Sequence, residues 1–530
     1  MAATSSPSAK HTGFSVGRKL TEVPGTAYSN WVLGLLAVVY AINFVDRQII
    51  SVLALNIKRD LGLTDADLGF LYGTAFGVFY ALFGIPMGRL ADSWNRVRLI
   101  TIGLAVWSAM TALSGLARNG AQLTAARIGV GVGEATASPC AYSLISDYFP
   151  RNKRASALAV YSSGMYLGAG LSLFIGAVIV KAWDTAYPSG LNGIVGWQAS
   201  FMAVGIPGLL LAVAVATLRE PIRGLSEGLP AQPVAHPFRE FFAELMTIIF
   251  PLSLVAAARQ GSAVLWRNLL GLAIIALLAS GLIVLTGDKA QWVAVGIGTY
   301  AIYSWALALK KRDAPAFRLI WGTPAFLAVL VGYGLIAFVN YAVMFWSLPY
   351  AESVLGADKS TAGLIIGGGG AAGGFIGLNI GGRIADRLRR SNPSGRILVI
   401  IFAALAPVVP LLVMFSTDNL IVFYALILPM TVLHSTGLSA AAATTQDLVL
   451  PRMRGLATAC YFLSITMIGL ALGPYMVGRV STWTGDLGTA ILSLLLVMPV
   501  STLALVLLYR WLPKAEASVA ERARSAGEPL

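Results

Sequence analysis

Four charged residues stand inside runs that are otherwise apolar. Asp46 and Arg47 lie side by side in AINFVDRQII, within the stretch 31–55. Arg127 and Glu134 lie seven residues apart in ARIGVGVGEATASP, within the stretch 121–147. Carboxylates in such surroundings can take up and release a proton, and guanidinium groups can anchor an anion. Seven residues make two helical turns, so Arg127 and Glu134 share one face. Neighbours on a helix diverge by about 100°. One of Asp46 and Arg47 is therefore expected to face the Arg127–Glu134 helix and the other a central cavity. Charge in a membrane is expensive unless it is paired or wet, and two acids with two bases can neutralise each other. A static cluster that only braces the bundle is the plain alternative, although buried pairs often cost more than they return. The expectation is a coupling site, with Asp46 and Glu134 carrying protons and Arg47 and Arg127 holding a substrate headgroup or relaying charge.

Other chemistries lack their residues. His11, His236 and His434 are the only histidines and are far apart, which argues against a His-based metal site. Only His434 falls in an apolar run, and no HExxH pattern occurs. No catalytic residue, metal or cofactor is expected, and a membrane-embedded enzyme is disfavoured. Cys140 and Cys460, both in apolar runs, define no disulfide framework.

The elements that must position the four charges are membrane helices. The 530 residues are 57% hydrophobic and 12% charged, with mean hydropathy +0.75. The apolar residues come in blocks long enough to cross a bilayer as helices, and lipid leaves no partner for unpaired backbone. The reading is an all-α polytopic membrane protein. Spans are expected at 31–55, 68–90, 98–117, 121–147, 155–181, 197–217, 266–286, 290–308, 319–347, 361–384, 396–415, 419–446, 455–480 and 487–510, making 14. The segment MAATSSPSAKHTGFSVGRKL has neither an apolar core nor a cleavage site, so the first span is expected to act as its own targeting signal.

A net charge of +14 invites a nucleic-acid partner, but the placement of the charge argues against one. Lys10, Arg18 and Lys19 precede span one. Arg89, Arg96 and Arg98 follow span two, and Arg151, Lys153 and Arg154 follow span four. Lys310 to Arg312, Arg383 to Arg390, Arg452 with Arg454, and Arg510 with Lys514 continue the series. Every second loop is basic, as the positive-inside rule requires. Both termini are then cytoplasmic, and a bacterial inner membrane is expected.

An internal repeat organises the spans. GRLAD at 88–92 recurs as GRIAD at 382–386, each after the second span of a six-span set. Matched six-helix halves are a mark of transporters whose substrate site lies between the halves. The expected organisation is a tail, 1–28; a first bundle, 29–224; a linker with two extra spans, 225–316; a second bundle, 317–513; and a tail, 514–530. The linker is rich in Pro, Gly and charge. Its end sets Phe238, Phe241, Phe242, Leu245 and Met246 against Arg239, Glu240 and Glu244, which suits an amphipathic helix on the cytoplasmic surface.

The doubled loop motif resembles the signature of the major facilitator superfamily, and the resemblance covers the chain apart from the tails and the linker region. It implies the major facilitator fold, two six-helix bundles, here with two extra central helices. It also implies a cytoplasmic gate made by Gly88, Asp92 and Arg96 and by Gly382, Asp386 and Arg387, with Asp92 paired to Arg96 and Asp386 to Arg387. The first copy departs from the pattern at Ser93 and Asn95.

The stretches NFVDR, RIGVGVGEA, GVGEATASPCAYSLISDYFPRNKRASAL and GWQASFMAVGIPGLLLA with LREPIRG resemble the Spinster-like branch, transporters of sphingolipids and lysophospholipids. NFVDR and RIGVGVGEA also resemble a second branch, the organic anion–proton symporters for sugar acids. The resemblance implies proton-coupled movement of a lipid-like amphiphile, with protons, membrane lipids and that amphiphile as partners and a monomeric state. The alternatives are a symporter of small organic anions, a multidrug–proton antiporter and an uncoupled lipid scramblase. Span seven offers Phe338, Asn340, Tyr341, Met344, Phe345 and Trp346 as a wall for acyl chains. Asn43, Tyr80, Asn340, Tyr341, Trp346 and His434 are the expected cavity lining. GGGGAAGGFIG at 367–377 and the spaced Gly129, Gly131 and Gly133 mimic nucleotide loops, but they lie in spans and read as close helix packing.

Overall fold

The structure, a computed structural model, describes residues 19–20, 25–224 and 236–529. Lys10, His11, Arg18 and most of the expected N-terminal tail lie outside the described residues, as does linker segment 225–235.

The described chain is almost wholly helical. The first bundle comprises α1 (Thr26–Leu61), α2 (Asp65–Ser93), α3 (Arg96–Ser114), α4 (Gly120–Glu134), α5 (Ala137–Tyr148), α6 (Arg151–Ala186) and α7 (Gly196–Ala216). Between the halves come α8 (Pro237–Ile248), α9 (Leu252–Arg259), α10 (Ser262–Thr286), α11 (Lys289–Arg312) and the short α12 (Ala314–Ile320). The second bundle comprises α13 (Pro324–Ser353), α14 (Lys359–Ser391), α15 (Gly395–Met414), α16 (Leu420–Asp447), α17 (Pro451–Thr484) and α18 (Leu487–Ala517), and α19 (Val519–Arg524) follows. Lys19–Leu20 pairs in parallel with Glu220–Pro221.

Helix starts follow local chemistry. Asn95, Asn119 and Asp358 accept hydrogen bonds from backbone N–H groups three residues on, at 2.8, 2.9 and 2.9 Å, and so cap α3, α4 and α14. Among the described residues, thirteen helices are long and apolar enough to span a membrane. The expected fourth span is not among them, and it is broken into α4 and α5 at Ala135–Thr136. Pro139 explains the break: it has no N–H to give the Ala135 carbonyl, and its ring crowds that carbonyl. The Thr136 hydroxyl satisfies Gly133 O instead, at 2.9 Å. With this broken crossing the total agrees with the expected 14.

Helix α8 forms where an amphipathic helix is expected: Arg239 and Glu240 are exposed and Phe241, Leu245 and Met246 half-buried, while Glu244, Phe238 and Phe242 depart from that division. Glu244 is buried, accepting from Trp305 Nε1 at 3.0 Å and Arg312 at 2.7 Å. Phe238 and Phe242 are exposed. Beside a membrane the outer face meets lipid, so the carboxylate turns inward to its partners and the rings turn outward.

The first and last spans begin and finish at one end of the bundle, called here the tail end, where the basic loops gather. At the opposite, far end the two halves are fastened together. Ser51 donates to Phe345 O at 2.6 Å, Ser481 to Asp65 at 2.7 Å and Lys359 to Asn56 at 2.5 Å. Lys181 pairs with Asp358 at 3.2 Å. Helices α6 and α14 touch at Gly170, where an added Cβ would lie 2.6 Å from Gly367 O. The α6–α14 contact runs on to Tyr166 and Gly374, whereas toward the tail end of α2 a Cβ on Gly84 or Gly88 would meet nothing within 4 Å. The bundle is closed at the far end and parted at the tail end.

Candidate functional site

Helix α1 carries Asn43, Asp46, Arg47 and Gln48 to mid-bundle, and α4 brings Arg127 and Glu134 to the same level. The glycines of GVGVGE let α4 come this close: a Cβ on Gly131 would sit 2.6 Å from Phe76 O, and one on Gly133 2.8 Å from Trp107 N. This is the helix packing expected of that stretch.

Arg47 faces the cavity and donates through Nε to Glu134 Oε2 at 2.6 Å. Its guanidinium lies 4.8, 4.8 and 4.5 Å from the ring centres of Phe44, Phe76 and Tyr80. Each such contact is worth about 0.5–2 kcal/mol according to exposure, so the rings fix a cation where water is scarce. Arg127 is 1% exposed. It reaches only the Asp46 carbonyl, at 3.3 Å, and stands 5.3 Å from the Phe76 ring centre. Its Nε and second terminal nitrogen have no hydrogen-bond partner among the described residues.

Asp46 turns the other way, fully buried toward Trp107 and Thr111 of α3. Neither meets its carboxylate in hydrogen-bond geometry, and both oxygens are without a partner. Asp46 and Arg47 diverge, but they do not share out the Arg127–Glu134 helix and the cavity as expected, since Arg47 meets both Glu134 and the cavity. Asn43 is buried beside Glu134, behind the cavity wall rather than on it.

The cavity has two adjoining lobes of about 850 and 690 Å³, counted out to the mouth. The first holds Arg47 and Arg127 with Gln48, Asn340, Tyr341 and His434. The second sets Leu173, Val343, Ile366, Ile427 and Met430 beside Gln48, Asn340, Ser347, Thr431 and Ser435. Tyr80 contributes through its stack on Arg47. His434 Nε2 lies 3.3 Å from Ile336 O, and its Nδ1 is unpartnered. Trp346 is a correction: it is fully buried and donates to Pro474 O at 2.9 Å, packing α13 on α17 instead of lining the cavity. Its neighbour Phe345 stacks on Tyr72 at 4.4 Å. Sequence reasoning missed Gln48, Tyr72, Tyr166 and Tyr333. Gln48 carried a signal, being a third polar residue beside Asp46 and Arg47. The tyrosines carried none.

The gate loops pair differently from expectation. Arg96 is fully buried and gives its guanidinium to Asp147 at 2.5 Å, Glu220 at 2.8 Å and Ser143 at 2.7 Å, not to Asp92. Asp92, near the end of α2, is solvent-exposed beside Arg223 and Arg89. In the second half Asp386 pairs with Arg396 at 3.1 Å, not with Arg387, and Arg396 also bonds Asp447. Arg96–Asp147 and Arg396–Asp447 are thus counterparts, each residue 300 positions from its mate (396 against 96, 447 against 147). The buried acid at the end of the fourth span wins the arginine because it offers a dry, charge-assisted bond. Gly88 and Gly382 face the parted tail end and a neighbouring helix, respectively: a Cβ on Gly382 would lie 3.2 Å from Ser439 Oγ.

Residues 36–474 match the family model of the Major Facilitator Superfamily. The chain belongs to that superfamily. An "MFS-type efflux pump" of Mycolicibacterium smegmatis is 26% identical over 475 residues, covering 89% of this chain and 90% of that protein. "Protein spinster homolog 1" of Xenopus tropicalis is 25% identical over 488 residues, covering 90% of this chain and 78% of that protein. A "Probable L-galactonate transporter" of Escherichia coli is 30% identical over 179 residues, 34% of this chain and 37% of that protein. Among solved structures, a bacterial homolog to human lysosomal transporter Spinster, in an inward-facing and unoccupied conformation, aligns with TM-score 0.67 and 24% identity. That alignment covers 94% of this chain and 99% of the other. This superfamily member is therefore a multi-pass membrane transporter related both to Spinster proteins and to sugar-acid transporters.

Proposed function

We propose that this transporter moves an amphiphile with an anionic or zwitterionic headgroup, such as a lysophospholipid or sphingolipid, by proton-coupled alternating access across a bacterial inner membrane. The observation that carries the reading is the unpartnered edge of Arg127 at a cavity that also holds Arg47. A buried guanidinium left half-bonded costs free energy that an anionic headgroup would recover. The apolar stretch of the second lobe, Leu173, Val343, Ile366, Ile427 and Met430, suits an acyl chain. The parted tail end corresponds to the cytoplasmic side if both termini are cytoplasmic, so the structure represents the inward-open state in this reading.

Coupling follows from competition. Glu134 and a substrate anion cannot both hold Arg47 fully. When the anion takes Arg47, Glu134 loses its cation, and a buried carboxylate without a cation is held best as the acid. Asp46, behind Arg127, is the second proton carrier in this scheme. Asp92, Asp386 and their loops serve as the cytoplasmic gate, anchored by the Arg96 and Arg396 pairs.

A second reading is supported by the polar side of the first lobe, Gln48, Asn340, Tyr341 and His434, which suits hydroxyl groups: symport of a sugar acid. Purified protein in proteoliposomes, offered labelled lysophosphatidylglycerol or labelled galactonate with and without an imposed pH gradient, separates the two. Gradient-dependent lysolipid flux supports the main reading. Galactonate flux alone moves the assignment to the second, and lysolipid flux indifferent to the gradient removes the proton from the scheme.

A further inference from the structure

The two extra spans are not spectators, and one of them crosses the seam between the halves. Helix α11 lies along the line where α2 of the first half meets α17 of the second. Both helices are widened there by a π-helical turn, Phe70–Thr74 and Ile465–Leu470, a feature that often marks functional sites.

The contacts of α11 alternate between the halves. At its far end, Asp288 accepts from Tyr475 of α17 at 2.6 Å and pairs with Arg479 at 3.5 Å. Trp292 meets the Tyr475 ring edge-on, 5.6 Å between centres. One turn on, Gln291, 1% exposed, reaches Thr74 of α2 at 2.7 Å, and the Thr74 hydroxyl also lies 2.5 Å from Ala471 O of α17. With the Gln291 amide turned so that its NH₂ faces Thr74, the hydroxyl accepts from α11 and donates to α17. That joins three helices through one side chain. Further along, Gly298 lies against both halves: a Cβ there would come within 2.6 Å of the Met467 side-chain tip and 3.0 Å of Val78. At the tail end Arg312 holds Glu244 of α8 at 2.7 Å, and Phe238 of α8 packs on Trp94 at 5.1 Å, just beyond α2.

Resting on the alternating-access reading above, we infer that α11 is a splint across the α2–α17 seam, and that Asp288 with Tyr475 and Arg479 is a latch that adds to the Ser481–Asp65 bond in holding that seam shut at the far end. To open that end, α2 and α17 must part, and α11 can follow only one of them. Gln291, Val78 and the α8 contact tie it to α2. The polar bonds of Asp288 are its far-end ties to α17, so they are where the seam gives way. Asp288 and Tyr475 are thus positioning residues for the conformational step and touch no substrate.

The test is double electron–electron resonance on the full chain in nanodiscs, with Cys140 and Cys460 replaced by alanine and spin labels at Arg118→Cys and Asp418→Cys, on far-end loops of opposite halves. Asp288→Asn weakens a charge-assisted bond while keeping its shape, and Tyr475→Phe removes one hydroxyl. Loss of such a bond is worth about a tenfold change in a two-state population. The expected result is a long-distance, far-open population raised about tenfold in either variant. Unchanged distance distributions in both overturn the inference. Failure of the transport reading itself would show differently, as absent flux in the wild-type protein, a measurement that these distances do not use.

Discussion

Replacing Glu134 with glutamine separates charge from shape at the centre of the cavity. The Arg47–Glu134 contact is 2.6 Å long, with Glu134 fully buried and Arg47 nearly so. At an effective dielectric constant near 20, two unit charges at that separation attract by about 6 kcal/mol. A substrate anion competing for Arg47 must give back part of this. The net worth of a charge-assisted hydrogen bond is about 1.5–3 kcal/mol, so removing the acid's charge should tighten headgroup binding by roughly ten- to a hundredfold. The pH dependence fixes the sign. In the wild type a proton on Glu134 releases Arg47, so affinity rises on acidification. The glutamine variant should bind at the tight limit at every pH, exchange substrate across the membrane, and fail to accumulate it against a gradient. Titration calorimetry of lysophosphatidylglycerol into nanodisc-held protein, in acidic and alkaline buffer, reads this directly. A variant that binds no tighter than wild type, or that keeps the wild-type pH dependence, would refute the competition argument.

Three further outcomes are expected. Arg96→Ala leaves Asp147 and Glu220 buried without their cation and should cost about 3–5 kcal/mol, seen as a large fall in melting temperature, while Arg387→Ala should change it little. Trp346→Phe removes the bond to Pro474 and should cost about 1 kcal/mol, with substrate affinity unchanged if the ring packs helices rather than lining the cavity. Arg452 binds Asp313 and Glu528 and holds both carboxyls below their usual range, through hydrogen bonds first. This tail contact is therefore present at neutral pH and lost only as pH falls through those depressed values. A spin label at Ala526→Cys should stay immobile until well below the ordinary carboxylate range, and early release would contradict it.

The span count and the doubled half were legible because lipid imposes a length and a polarity that a single sequence displays. The gathering of Asp46, Arg47, Arg127 and Glu134 was legible too, since charges are rare enough in the apolar runs to seek each other, but the pairing of Arg47 with Glu134 was not. What escaped were facts of direction and of competition. Nothing in AINFVDRQII says that Asp46 turns to Trp107, because adjacent residues fix their divergence but not its compass bearing. GRLAD drew attention to Asp92, yet the arginine goes to Asp147, 51 residues beyond it, since burial decides between two acids and burial is not written locally. Trp346 looked like a cavity wall because an aromatic in a span fits packing and lining equally well.

The break at Ala135–Thr136 has a mechanical consequence. Beyond it, α5 is bolted through Asp147 to Arg96 at the tail end, whereas α4 ends on Glu134 itself. An unbroken rod would transmit every tilt of the coupling carboxylate to that bolt. A hinge one residue past the carboxylate lets Glu134 shift relative to Arg47 while the anchor stays put. In the proton-coupled reading proposed above, the crossing works as two levers on a common pin, one that moves with the proton and one that keeps the frame square.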